Sequence, residues 1–189
     1  MRSVTSLALV AVASVSLTGC GYNTIQTYDE QAAAAQKQIS VQLQRRADLI
    51  PNLVSTVKGF AAQELEVLTR VTEARAGLQT AVQANDMKQM ATANDQLTGA
   101  LGRLMVSVEA YPTLKSDQNF LRLQDELAGT ENRIAVARTD YNSSAQKYNA
   151  YIRKFPQVMT AKVTGAKPRE YFEAAAGAAT APTVDFNKK

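Results

Sequence analysis

The 189-residue sequence has no histidine, no tryptophan, a single cysteine and only 6% aromatic residues. Each shortage removes a class of chemistry. Without histidine a Ser-His-Asp triad cannot form. With Cys20 as the sole thiol, zinc sites, blue copper and the carboxylate-plus-histidine di-iron centre lack their usual ligands, so no metal is expected. One cysteine also allows no internal disulfide, which leaves helix packing to hold the fold. A surplus of one charge is missing too: the net charge is +4, falling by one if Arg2 is removed, with acids and bases interleaved along the chain. A nucleic-acid reader would concentrate basic side chains on one face beside stacking aromatics, so no nucleic-acid partner is expected.

What is present begins with an address. Met1 and Arg2 give a basic start, Val4 to Leu17 form an apolar stretch containing Ser and Thr, and small residues follow. The stretch falls short of the roughly 20 apolar residues that span a bilayer, so residues 1–19 read as a signal peptide rather than a retained membrane helix. Leu17-Thr18-Gly19-Cys20 resembles the bacterial lipobox. That resemblance implies a diacylglycerol thioether and an N-acyl chain on Cys20, with 20–23 as the lipidated N-terminus and no other cofactor. Two or three acyl chains, at ~0.8 kcal/mol per buried methylene, anchor a protein stably. Gly21 stands where Asp would retain a lipoprotein at the inner membrane of a Gram-negative cell, a resemblance that implies the outer membrane facing the periplasm.

The remainder is rich in Ala, Gln, Leu, Val, Glu and Arg, which favours helices. One helix starts near Tyr22 to Thr24 with Ile25, Ala32, Ile39 and Leu43 on a stripe. Pro51 has no amide proton and disfavours helical geometry at Ile50, so a break or sharp kink is expected there, with Asp48 capping a new start. Three further stripes repeat at spacings of three and four: Leu53, Val57, Phe60, Glu64, Val67, Val71, Ala74 and Leu78; Met87, Met90, Asn94, Leu97, Leu101, Leu104, Val108 and Tyr111; and Phe120, Leu123, Leu127, Thr130, Ile134, Ala137, Tyr141, Ser144, Tyr148, Ile152 and Phe155. The expected fold is all-α: an antiparallel up-down-up-down four-helix bundle of long helices over 24–156. A three-helix version with a kinked first helix is the alternative. Residues 157–189 read as a poorly ordered tail from Gly165 onward, with a short helix at Arg169 to Ala175 and Val184-Asp185-Phe186 as a docking element.

Several segments together resemble the LemA family. They are Gln42 to Val54 with its Arg45-Arg46-Ala47-Asp48-Leu49-Ile50-Pro51-Asn52 centre, Val57-Lys58-Gly59-Phe60, Glu64, Ala74-Arg75, Glu109-Ala110-Tyr111-Pro112, Asn119-Phe120, Leu123 to Leu127, Glu131-Asn132, Ala137-Arg138, Tyr141-Asn142, Tyr148-Asn149 and Phe155-Pro156. The resemblance implies an envelope-associated helical bundle on the extracytoplasmic side, with no established activity. Family members often carry an uncleaved membrane helix, where this chain offers a lipobox.

Among candidate site residues, Glu64 stands out as a carboxylate at an apolar seam position, which demands a partner. Arg75, Arg138 and Tyr141 are the candidates, and Arg46 joins them if the helix continues through Pro51. The functional reading is a polar network engaging a partner; the structural one is an ion pair fixing helix register. Asp48 and Asn52 read as cap and turn residues, and Arg45-Arg46 as a solvated basic pair. Glu131, Asn132, Arg138, Asn142 and Asn149 suit interhelical hydrogen bonds or a contact face, while Met87, Met90 and Met105 suit core filling. The chain therefore reads as a non-enzymatic envelope lipoprotein presenting a helical surface to envelope proteins. The alternatives are a carboxylate hydrolase pairing Glu64 with Glu109 or Glu126 on cell-wall glycan or peptide, and a carrier of lipid or another hydrophobic ligand.

Overall fold

The computed structural model describes residues 2–61 and 63–173, with side chains described from 21 onward. The docking element at Val184-Asp185-Phe186 lies outside them. The described chain is all-α, as expected: α1 (Arg2–Phe60), α2 (Leu65–Ala84), α3 (Met87–Val108), α4 (Pro112–Lys115), α5 (Gln118–Tyr151) and α6 (Gln157–Thr164). It divides into two compact units. Unit 1 takes α1 up to Ile39 and the segment Val136–Tyr171; unit 2 takes Ser40–Ala135 and Phe172. Among the described residues no helix is long and apolar enough to cross a membrane.

The connections follow local chemistry. Asn85 closes α2 in the left-handed conformation, and Asp86 caps α3 by accepting from the Gln89 amide at 2.9 Å and the Gln89 side chain at 3.0 Å. Pro112 opens α4, where its missing N–H costs nothing. Asp117 accepts from the Phe120 amide at 2.9 Å just ahead of α5. The predicted seams on α3 and α5 are buried from Met87 to Val108 and from Phe120 to Ile152, Ser144 excepted, which is half-buried beside a fully buried Ala145.

Two expectations fail, each for a physical reason. The break at Pro51 is absent: α1 is helical through it to Phe60, and the chain turns instead over residues 61–64. A proline inside a helix orphans the carbonyl four residues earlier, here that of Ala47, a fully buried residue. Arg75 of α2 donates its Nε–H to this carbonyl at 2.9 Å. A long-range donor thus replaces the amide that proline removed, and the helix continues. The seam of α1 accordingly runs uninterrupted through Ile39, Leu43, Arg46, Ile50, Leu53 and Val57, all buried. Past the turn the predicted seam of α2 keeps Val71 and Leu78, both fully buried, while Leu68 is buried in place of the partly buried Val67.

The second failure concerns residues 165–173. They are neither loose nor helical: the short helix lies earlier, at Gln157–Thr164, and Gly165 ends it at φ +71°. Beyond it, Pro168 and a set of side-chain hydrogen bonds to the backbone hold the chain in a non-helical course, and Phe172 is buried.

The Arg75 contact makes a coupled prediction. Arg75→Met leaves the Ala47 carbonyl unpaired and costs about 1–3 kcal/mol. In a Pro51→Ala background the amide at position 51 takes that carbonyl, and the cost of Arg75→Met shrinks. Denaturation of the four proteins of this cycle checks it; equal costs in both backgrounds would sink the explanation.

Candidate functional site

Unit 2 contains a polar layer on its helix seams. Arg46 occupies a seam position of α1 at 4% exposure, and Asn94 occupies one of α3 at 1%. The Arg46 Nη1 lies 2.5 Å from both Asn94 Oδ1 and Glu131 Oε2 of α5. Burial lowers the Arg46 pKa, opposed by the charges of Glu131 and Asp95; a guanidinium keeps its proton in proteins even so. Arg46 Nε, Asn94 Nδ2 and the Oε1 of Gln42, one turn before Arg46, are buried without a hydrogen-bond partner among the described residues. Below this layer Ser40 donates to the Met90 sulfur at 3.7 Å. Arg46 is therefore the centre of an internal network, and the reading of Arg45-Arg46 as a solvated pair holds for exposed Arg45 alone.

Other predicted site residues lie elsewhere. Glu64 is not on a seam; it sits in the turn before α2, half-buried, and accepts from the Tyr111 hydroxyl at 2.8 Å. That hydrogen bond is the main reason the Tyr111 pKa is raised. Arg75 serves the Ala47 carbonyl rather than Glu64. Asp48 is exposed and accepts from Gln44 at 2.8 Å, so it caps nothing; Asn52 is exposed on the helix that passes through Pro51. Glu109 pairs with Lys115 at 2.6 Å on the surface, and Glu126 and Asn132 are exposed. Glu64 and Glu109 thus have separate partners. Among the described residues no group of three or more His, Cys, Asp or Glu side chains could hold a metal ion.

In unit 1, Tyr141 is buried and donates its hydroxyl to the Glu170 carbonyl at 2.6 Å. Arg138 and Asn142, on the same stretch of α5, are half-buried. Asn149 donates to the Arg169 carbonyl and accepts from the Arg169 amide, both at 2.8 Å. The Arg169 side chain then reaches α1: Nε lies 2.9 Å from Asp29 Oδ1, Nη2 donates to the Asp29 carbonyl at 3.2 Å, and the guanidinium lies 5.9 Å from the Tyr148 ring centre. Burial works against its charge, but the hydrogen bond and charge of Asp29, with Tyr141 and Tyr148, leave the Arg169 pKa raised. Asp29, Tyr148, Lys167 and Arg169 line a cleft of about 350 Å³. Sequence reasoning missed Asp29 and Arg169, which no local pattern connects. It placed Asn94 on a seam without treating it as a site, although a polar residue at a seam position is the same signal that singled out Glu64.

The described chain is an all-α protein of long helices, with polar side chains that pair between helices and with interrupted backbone. The chain belongs to the LemA family, whose sequence profile matches residues 35–186. It is similar to magnetosome proteins MamQ 1 and MamQ 2 of Paramagnetospirillum magneticum, each 31% identical, the alignment covering 87% of this chain and 69% of theirs. It is also similar to magnetosome protein MamQ of Magnetospirillum gryphiswaldense, 32% identical, over 91% of this chain and 71% of the relative.

The polar layer can be tested by substitution. Asn94→Leu strands the buried Arg46 with Glu131 alone and lowers stability by about 1–3 kcal/mol. Adding Arg46→Met turns the layer apolar and recovers most of that loss, because Glu131 is partly solvated. Melting curves decide it: a double variant as unstable as the sum of the singles contradicts the assignment.

Tyr141 gives a prediction at alkaline pH. Burial raises the Tyr141 pKa, with the Arg169 charge opposing it. The folded chain therefore holds the phenolic proton above pH ~10, where the unfolded chain releases it. Its contribution to stability is complete below pH ~10 and is lost as pH rises through the folded value. Tyr141→Phe should flatten that alkaline decline while removing the hydrogen bond to Glu170, and stability against pH from about 8 to about 11 tests it.

Proposed function

We propose that this LemA-family chain is a non-enzymatic envelope lipoprotein, held to the membrane by acyl chains on Cys20 and presenting a rigid helical surface to other envelope proteins. The observation that carries this reading is the use made of its polar groups. Arg46 is spent on Asn94 and Glu131, Arg75 on a carbonyl of α1, Glu64 on Tyr111 and Tyr141 on Glu170. These are shape-holding contacts within the chain, not a constellation aimed at a substrate. The relatives support the same direction, being named as magnetosome proteins and not by a reaction. Under this reading Cys20 carries a diacylglycerol and an N-acyl chain, and the bundle faces the periplasm from the outer membrane of a Gram-negative cell.

Two measurements test it. The intact mass of the mature N-terminal peptide should show acylated Cys20; an unmodified cysteine overturns the anchor. In-cell crosslinking with mass spectrometry should recover a reproducible envelope partner. Recovery lost on charge reversal at exposed Glu126, combined with a charge placed at exposed Asn132, would locate the contact on α5. Turnover of purified peptidoglycan that Glu64→Gln abolishes without unfolding the chain would replace this reading by a hydrolase.

A further inference from the structure

We propose that the segment from Arg153 to Thr164 in unit 1 is a membrane-surface contact that lays an apolar stripe into the headgroup boundary of an anionic bilayer. The inference rests on the reading of Cys20 as the anchor, which sets the orientation of the segment and brings it to the bilayer. Phe155, Met159 and Val163 are 83%, 58% and 89% exposed. Met159 and Val163 stand one turn apart on α6 and share one side, and Phe155 lies in the turn just before it. The other side of α6 faces inward: Ala161 is buried in a cluster with Ile25, Tyr148 and Ile152.

Isolated exposed apolar residues need no explanation, but this stripe has a charge pattern to match. From Tyr151 to Lys167 the chain carries four basic residues and no acidic one. Arg153, Lys154 and Lys162, next to the stripe, are all exposed. Apolar side chains flanked by basic ones are the makeup of an interfacial helix, whose apolar face sits roughly 5–10 Å into the headgroup and acyl boundary while its cations meet anionic lipid. A protein partner is a poorer fit, since a single eight-residue helix falls well short of the usual ~800 Å² per partner.

Position supplies the independent support. Gly21 lies against α6, with Gln157 and Thr160 side chains 3.7 Å from where a Cβ would stand. Gly21 follows Cys20 directly. Gly21, the residue after Cys20, thus packs on α6, and a chain held at Cys20 brings α6 to the bilayer at high effective concentration, which offsets the weakness of so short a helix.

The test uses the full lipidated chain. Cys20 is the only cysteine, so once it is acylated Met159→Cys and Val163→Cys each offer one thiol for a nitroxide label. In phosphatidylglycerol and phosphatidylethanolamine vesicles, both labels should collide more with oxygen than with a water-soluble nickel chelate, and Lys154→Glu with Lys162→Glu should reverse that order. A label at exposed Val136, in the same unit on α5, gives the aqueous reference. Labels at 159 and 163 that match the Val136 reference overturn the proposal. Flotation and the N-terminal mass read the anchor separately, and if Cys20 proves unacylated, the same labels in a Cys20→Ser full chain test the stripe by the same comparison.

Discussion

The hydrogen bond from Arg75 to the Ala47 carbonyl is the contact on which unit 2 depends. Pro51 would end α1 in the middle of the fold; Arg75 supplies the missing donor from another helix, and α1 stays helical to Phe60. The seam of α1 then keeps its phase across the proline. That phase brings Arg46, the residue just before Ala47, onto the buried side to meet Asn94 of α3 and Glu131 of α5. Two consecutive residues of α1 thus receive a guanidinium and offer one. Between them they tie α1 to α2, α3 and α5.

Unit 1 solves a related problem by other means. Its last stretch is not helical and has backbone groups that no helix satisfies. Asn149 meets both the N–H and the C=O of Arg169, as a neighbouring peptide group would, and Tyr141 takes the next carbonyl. Buried polar backbone must be paired, and here side chains of α5 do what a strand partner would do elsewhere. The Arg169 side chain is left to bind Asp29 of α1, so a single residue ties this stretch to two helices.

The legible part of this protein is its periodicity, and the illegible part is its long-range donors. Heptad spacing located the buried faces of α3 and α5 nearly residue by residue, because a buried stripe is a local property of sequence. The proline rule failed at Pro51 because it considers only the helix that contains it, whereas the compensating donor comes from a residue 28 positions away. The same limit explains Glu64. Once the helix turned at 61–64 rather than at Pro51, a residue counted as seam became part of a connection and found Tyr111 instead of an arginine. Tyr141 was offered as a partner for Glu64, but it donates to the Glu170 carbonyl, which lies in a stretch read as loose tail. Backbone acceptors have no sequence signature, and Asp29 and Arg169 share none either.

The separation of Asp29 from Arg169, 140 positions, has a consequence for the order of assembly. Unit 1 is made of two distant stretches of chain, while most of unit 2 is the single stretch between them. Closing a loop costs entropy that grows with the logarithm of its length, so contacts within the intervening stretch form at lower cost than those that bridge it. Folding the middle first shortens the effective loop for everything outside it. Unit 1, which needs Arg169 to meet Asp29, is then the last to be completed.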